Sequence, residues 1–145
     1  MRFIIIVLII TVIASCSISK CDCIEASSDM IQTIYFNNFN QSDLDSIVLT
    51  SYNLNSNFTS LVNSYTIHGY KYDTLKFYAQ MQPLNIKLDY KLNIVKTGQI
   101  FKITDFTTKR AKCCKSFFSE SYFDELNSYT INGKKTASNA IEINN

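Results

Sequence analysis

The chain has 145 residues, of which 14 are basic and 12 acidic, so its formal net charge is only +2. This charge gives no global field that would attract a polyanion, and we predict no nucleic-acid partner. The sequence also lacks a Gly-x-Ser-x-Gly motif, a His-Glu-x-x-His motif and a glycine-rich phosphate loop, which argues against the common hydrolases and nucleotide-binding enzymes.

The first element in chain order is an apolar leader. Arg2 is its single charged residue, and the apolar run over residues 3–14 is interrupted only by Thr11. This run is shorter than the roughly 20 residues that a membrane-spanning helix needs. The segment is therefore predicted to be an export signal.

The leader ends in Ile-Ala-Ser-Cys at residues 13–16, which resembles the lipobox of bacterial lipoprotein precursors. The resemblance implies a signal peptide over residues 1–15, cleavage before Cys16, and acylation of the Cys16 thiol and amino group. Each buried CH₂ group contributes about 0.8 kcal/mol, so several acyl chains hold a protein firmly in a bilayer. Ser17 follows the cysteine where an Asp favours the inner membrane in such proteins, so we expect the outer membrane.

The mature part of the chain also shows a resemblance. Its whole length is similar to short, uncharacterised envelope lipoproteins of Gram-negative bacteria, in segments such as residues 57–62 and 100–106. No activity is attached to that group. The alternative is an ordinary secretory signal with Cys16 as a plain thiol. In a eukaryotic secreted protein, Asn40 and Asn57 would head glycosylation sequons.

The mature chain is long enough for one core and too short for two. We predict a lipid-anchored tether over residues 16–29 and a single domain over residues 30–145. Residues 102–115 hold a local excess of basic side chains, which we interpret as the solvated face of a strand. This group consists of Lys102, Lys109, Arg110, Lys112 and Lys115.

Four further cysteines are predicted to form disulfides, because an even number in an exported protein favours them. They are Cys21, Cys23, Cys113 and Cys114. Adjacent cysteines bridge each other only with strain, so cross-pairing is favoured. In regular strands adjacent side chains point to opposite faces. Either one pair forms and two thiols stay free, or a bulge or turn at Cys113 and Cys114 brings both inward.

The domain is dominated by apolar residues at every second position, which predicts strands. We expect strands over residues 30–39, 46–52, 73–82, 84–95 and 99–107, and a final hairpin over residues 126–131 and 134–143. Residues 58–67 fit a strand or a helix, and Ser119 or Ser121 is expected to cap a short helix through Leu126. The residues expected to face the core are Leu75, Phe77, Ala79, Met81, Leu84, Ile86, Leu88, Tyr90, Leu92, Ile94, Phe101 and Ile103.

Three positions are expected to break these strands. Pro83 cannot donate to a ladder and should separate its two neighbouring strands. Gly98 should close one hairpin, and Asn132-Gly133 is a preferred type I′ pair for another. The spacing predicts an all-β, antiparallel two-sheet sandwich, either an immunoglobulin-like or a transthyretin-like Greek key, with at most one or two short helices. A closed barrel is the alternative.

No residue is predicted to be catalytic, and no cofactor or metal is predicted. The single histidine, His68, lies beside Gly69 at an expected turn, and the paired acids Asp43 with Asp45 and Asp124 with Glu125 are interpreted as solvated. Strand alternation leaves four tyrosines as candidates for exposure on a rigid sheet, where aromatic side chains serve recognition. They are Tyr70, Tyr72, Tyr78 and Tyr122.

The leading hypothesis is a non-enzymatic domain that is held on the bilayer by acylated Cys16 and binds or scaffolds an envelope protein or glycan. The alternative, from another class, is a thiol protein in which Cys21, Cys23, Cys113 and Cys114 bind a soft metal ion or exchange disulfides.

Overall fold

The computed structural model describes residues 30–115 and 120–145. In these residues the chain forms ten strands and one short 3₁₀ helix, Gln41–Asp43. The strands are β1 Met30–Asn37, β2 Ile47–Asn53, β3 Leu61–Ile67, β4 Tyr70–Lys71, β5 Lys76–Asn85, β6 Leu88–Ile94, β7 Gln99–Lys115, β8 Glu120–Ile131, β9 Lys134–Ala137 and β10 Ile141–Asn144.

The strands form two sheets that pack face to face. Sheet A has the order β10-β1-β5-β4, and sheet B has the order β3-β2-β6-β7-β8-β9. Neighbouring strands are antiparallel except for β1 and β10, which run parallel. The predicted all-β two-sheet sandwich is confirmed.

The core lies between the sheets because each strand turns alternate apolar side chains inward. In β2 the buried positions are Ile47, Leu49 and Ser51, while the residues between them are only partly covered. The largest fully buried side chains come from both sheets, so each sheet covers the apolar face of the other. They are Tyr129, Phe36, Ile34, Leu44, Ile47, Leu49, Leu84, Leu92, Ile94, Ile103, Ile141 and Ile143.

Both predicted hairpin turns are confirmed, but the last predicted strand, residues 134–143, is wrong. It is divided into β9, which ends at Ala137, and β10, which leaves sheet B and joins β1 in sheet A, where Ile141 and Ile143 are buried in the core. Gly98 lies in the turn between β6 and β7 with φ +69, and Asn132 and Gly133 join β8 to β9 with φ +49 and +82. Positive φ at both central residues is what a type I′ turn requires. Residues 58–67, which fitted a helix or a strand, contain strand β3.

The predicted helix through Leu126 is wrong. Residues 120–131 form β8, which pairs along β7 from Lys115 to Ile103. A helix of this length is marginal on its own, whereas the ladder pairs most residues of β8 with β7 and buries Leu126 and Tyr129. Pairing with β7 therefore overrides the local capping signal.

Pro83 does not separate two strands. It lies inside β5, and the turn to β6 falls at residues 86–87, so Ile86 is a half-buried turn residue. The pairing of β5 with β1 jumps from Gln80 to Leu84, which places Pro83 in a bulge where no ladder donor is needed.

Leu75, expected in the core, is 67% exposed. The carboxylate of Asp73 accepts hydrogen bonds from the backbone N–H groups of Leu75 (2.9 Å) and Lys76 (2.8 Å). This local turn delays the start of β5 to Lys76. The inward positions that follow, Phe77, Ala79 and Met81, are buried as predicted.

Two segments that cross between the sheets are joined at Leu44 and Gly69. Leu44 ends the 3₁₀ helix on the way from β1 to β2, and Gly69 lies between β3 and β4. The Gly69 N–H donates to the Leu44 carbonyl at 2.8 Å, and the ring of His68 hydrogen-bonds the Asp45 carbonyl. A Cβ atom on Gly69 would lie 2.5 Å from the Leu44 Cβ, so only glycine fits.

Replacing Gly69 with alanine should therefore destabilise the protein by about 1–3 kcal/mol, because the new methyl group would overlap a fully buried side chain. Chemical denaturation followed by far-ultraviolet circular dichroism measures this loss. Gly98→Asn is the comparison: no atom lies within 4 Å of its Cβ position, so the substitution adds backbone strain at φ +69 but no overlap and should cost less stability than Gly69→Ala. Equal midpoints for Gly69→Ala and the natural chain would contradict the packing described.

Asp89 interrupts the alternation of β6, because it lies next to the core residue Tyr90 and is nevertheless buried, with only 6% of its surface exposed. Its carboxylate accepts a hydrogen bond from the Asn55 N–H at 3.2 Å. Burial raises the pKa of Asp89; the hydrogen bond from Asn55 opposes this shift, and the negative charge of Asp105 adds to it.

A raised pKa in the folded state means that folding favours the protonated carboxyl group. This stabilising contribution is fully present below the unfolded pKa of about 3.9 and is lost as the pH rises through the folded value. At pH 7 the free energy of unfolding of Asp89→Asn should therefore be at least as large as that of the natural chain. Between pH 3 and pH 7 it should fall less than that of the natural chain. Asp124→Asn, at an exposed position, is the control. A less stable Asp89→Asn protein at pH 7 would refute this assignment.

Candidate functional site

The outer face of sheet A carries aromatic side chains on three neighbouring strands. Tyr78 of β5 lies opposite Tyr70 of β4 on one side and opposite Tyr35 of β1 on the other. Phe77 and Ala79 turn into the core, so Tyr78 turns outward. Together with Tyr72, these residues form what we call the tyrosine cluster: Tyr35, Tyr70, Tyr72 and Tyr78.

The rings of this cluster contact one another in series. The centroids of Tyr70 and Tyr78 are 5.7 Å apart with their planes tilted by 35°, and Tyr72 meets Tyr78 edge to face at 6.3 Å. Tyr72 also contacts the ring of Tyr35 at 6.0 Å. Tyr70 and Tyr72 nevertheless remain 52% and 64% exposed. The rings are thus held in place by neighbours while their outer surfaces stay in solvent.

One end of the tyrosine cluster is polar. The ammonium group of Lys76 lies 4.5 Å from the centre of the Tyr35 ring and 3.6 Å from the carboxylate of Glu142. The amide of Asn37 donates to Glu142 at 3.3 Å and to Asn144 at 3.1 Å. These contacts satisfy the charges at this end and fix the side chains of β1, β5 and β10 relative to one another.

At the opposite end, a cleft of about 640 Å³ opens between the edges of the two sheets. Its residues come from β3 of sheet B and from β4 and β5 of sheet A, and Tyr70 and Tyr78 belong both to it and to the tyrosine cluster. We call this feature the tyrosine cleft; its lining is Tyr65, Thr66, Ile67, Tyr70, Tyr78, Gln80, Met81 and Gln82.

Tyr65 connects the two walls of the tyrosine cleft. Its hydroxyl donates to the Gln82 carbonyl at 3.4 Å, and burial raises the pKa of Tyr65 above its ordinary value. The apolar side chains of Ile67 and Met81 are buried at the floor. Within residues 30–115 and 120–145, the side-chain amides of Gln80 and Gln82 have no hydrogen-bond partner. The cleft therefore combines a fixed aromatic wall with polar groups that remain open to solvent.

The predicted exposure of three tyrosines is confirmed: Tyr70, Tyr72 and Tyr122 are exposed, and Tyr78 is half-buried. Tyr122 lies far along sheet B, on β8, under the guanidinium of Arg110 at 4.2 Å, and does not join the tyrosine cluster. Sequence reasoning did not single out Tyr35 or Tyr65 for the site. The alternation of apolar residues in β1 could have identified Tyr35. It places Tyr35 on the outer face of sheet A because its neighbours Ile34 and Phe36 face the core.

Most of the residues predicted to be lipidated or to form disulfides lie outside the part of the chain that the structure describes. Cys16, Cys21 and Cys23 lie outside the described residues, and of Cys113 and Cys114 only the backbone is described. Both belong to β7, and its pairing with β8 shifts register between Lys112 and Cys114.

The other polar residues singled out in the sequence do not line the tyrosine cleft. His68 donates its Nδ1–H to the Asp45 carbonyl, Asp43 pairs with Lys96 at 3.2 Å, and Glu125 pairs with Lys109 at 2.9 Å. The predicted basic group lies along β7, with Lys102, Lys109, Arg110 and Lys112 exposed. In the described part of the chain, histidine, cysteine and acidic residues nowhere assemble in threes as a metal would require.

The sequence matches no protein-family model, no curated protein and no solved structure. Among the helical residues that the structure describes, none belongs to a helix with the length and apolar character needed to cross a bilayer. The chemistry of the tyrosine cluster and tyrosine cleft therefore has to be inferred from their own residues.

Chemical nitration tests the arrangement of the tyrosines. Tetranitromethane should modify Tyr70 and Tyr72 long before Tyr90 and Tyr129, which are 3% and 0% exposed. Tyr90 has a second reason to resist: its hydroxyl donates to the Asn85 carbonyl at 3.0 Å and burial raises its pKa to about 12, which suppresses the reactive phenolate. Peptide mass spectrometry over a time course gives the order. Nitration of Tyr129 at the rate of Tyr72 would contradict the described packing.

Proposed function

We propose that this protein is a lipid-anchored envelope protein whose β-sandwich is a non-enzymatic binding domain. The observation that supports this best is the tyrosine cluster, since four contacting tyrosines lie on one sheet and two of them are more than half exposed. Single exposed apolar residues are ordinary, but contiguous ones mark recognition surfaces.

Tyrosine suits such a surface for a physical reason. Its ring offers a large contact area with few rotatable bonds, and its hydroxyl remains able to hydrogen-bond at the edge of a contact. Here the rings are already packed against each other, so a partner would order few additional side chains on binding. Preorganisation of this kind raises affinity by lowering the entropy lost on association.

The proposed anchor is the acylated Cys16. The lipobox resemblance at residues 13–16 supports it, as does an apolar leader too short to span a bilayer. The tether over residues 16–29 would then join the acyl chains to the first residue of β1. We propose the outer membrane as the location, because Ser17 replaces the acidic residue associated with inner-membrane retention.

Binding rather than catalysis is proposed because the sequence lacks the common hydrolytic motifs. A purified chain that turns over envelope polymers or esters, with the activity lost in His68→Ala, would overturn this part of the proposal.

A thiol function is the second candidate, favoured by one observation. The register shift at Cys113 is the kind of irregularity that lets adjacent cysteines escape the opposite orientations of a regular strand. Thiol titration of the unreduced protein, together with elemental analysis, distinguishes metal binding by the cysteines from disulfide formation. Four thiols holding a bound metal would favour this candidate, and no free thiols with no metal would eliminate its metal-binding form.

The lipid anchor is testable by metabolic labelling in a Gram-negative host. The natural chain should incorporate a palmitate analogue, whereas Cys16→Ser should not, because no other residue of the leader carries a thiol. Cys21→Ser is the matched control and should keep its label. Label retained by Cys16→Ser, or an unlabelled natural chain with its leader intact, would refute the anchor.

A further inference from the structure

We propose that the tyrosine cleft binds a neutral glycan segment, with sugar rings stacked on Tyr70 and Tyr78 and their hydroxyl groups bound by the amides of Gln80 and Gln82. This inference rests on the proposed binding function and adds to it the location of the site and the chemical class of the ligand.

The tyrosine cleft carries no charge on its lining. All eight residues that line the tyrosine cleft are uncharged. The nearby ammonium group of Lys76 is engaged by Glu142 and by the Tyr35 ring at the far end of the tyrosine cluster. A phosphate, an acidic sugar or a basic peptide would lose hydration in this cleft without gaining an opposite charge. The lining therefore selects against ionic ligands.

The polar groups of the tyrosine cleft are of a type that suits sugar hydroxyls. Each glutamine amide offers both donors and acceptors, and in the described part of the chain neither Gln80 nor Gln82 uses its side chain internally. Both side chains are exposed at the rim, with Thr66 across the cleft on β3. Groups that donate and accept side by side match vicinal sugar hydroxyls, which do the same.

The shape of the cleft also suits a sugar. Tyr70 and Tyr78 are directly opposite each other on paired strands, with ring centroids 5.7 Å apart, and the ring of Tyr70 is 52% exposed. The C–H bonds of a pyranose face suit the negative face of an aromatic ring. A volume of about 640 Å³ also lies within the range of roughly 300–1,000 Å³ that small-ligand sites occupy.

An extended peptide is the competing occupant, because peptides bind at sheet edges by adding a strand. That mode needs a run of free backbone groups. β4 pairs only with Phe77 and Tyr78, so the β5 edge beyond Tyr78 is open to such a strand. The uncharged rings and unpaired amides that line the cleft favour a glycan, and crosslinking to a protein with no neutral glycan bound is the outcome that would decide for the peptide.

The test uses the full-length chain purified in a detergent without sugar groups. Neutral hexasaccharides of glucose, mannose, xylose and N-acetylglucosamine are titrated against it by isothermal calorimetry, with an oligogalacturonate as the charged comparison. At least one neutral probe should bind, and Tyr70→Ala should weaken binding about tenfold or more. Gln80→Ala should also weaken it. Tyr122→Ala, which removes an exposed tyrosine elsewhere, should bind like the natural chain.

The glycan assignment would be overturned if no neutral probe binds, whether or not the oligogalacturonate does. It would also be overturned by neutral binding that is unchanged in both Tyr70→Ala and Gln80→Ala proteins that retain the natural circular dichroism spectrum. A photo-crosslinking residue at Tyr72 in living cells separates this failure from that of the proposed function. Crosslinking to an envelope protein, with no neutral probe bound, would refute the glycan and leave the binding domain. No crosslink and no bound probe would refute both.

Discussion

The close approach of Gly69 to Leu44 is the constraint on which the geometry of the site depends. It joins the segment that leads from β1 to β2 with the segment that leads from β3 to β4. The hydrogen bond from the Gly69 N–H to the Leu44 carbonyl fixes the position of one segment relative to the other. Because β3 and β4 are edge strands of different sheets, this contact determines how far apart the two walls of the tyrosine cleft stand.

The two faces of sheet A carry different residues, which explains why tyrosines can remain on the outer face. Isoleucine, phenylalanine and alanine fill the inner positions of β1 and β5, so the core does not need the tyrosine rings. Sheet A is also fastened to sheet B at its other edge, where the Glu142 N–H donates to the hydroxyl of the buried Tyr129 at 2.8 Å. Held at both edges, the sheet forms a rigid support for an exposed aromatic surface.

Much of the fold was predictable because the apolar period of two is clear in β2, β5 and β6 and because Gly98 and Asn132-Gly133 give specific turn signals. The helix before Leu126 was mispredicted because its local signals gave no sign of the long partner strand β7. Burial of Asp89 depends on a loop residue, Asn55, that is 34 positions away in sequence. The exposed faces of Tyr70 and Tyr78 were foreseeable, but their joining with Tyr65 into one cleft depends on a crossover that no local pattern encodes.

A nuclear Overhauser measurement on the isotope-labelled, ligand-free chain tests most directly that this cleft is preformed. We expect cross-peaks between the rings of Tyr70 and Tyr78 and between the Tyr65 ring and protons of residue 82, alongside the core contacts of Ile47 and Ile94. Absence of the cleft contacts in a protein that shows those core contacts would contradict it, since the sandwich would then exist without the fixed aromatic wall from which binding is inferred.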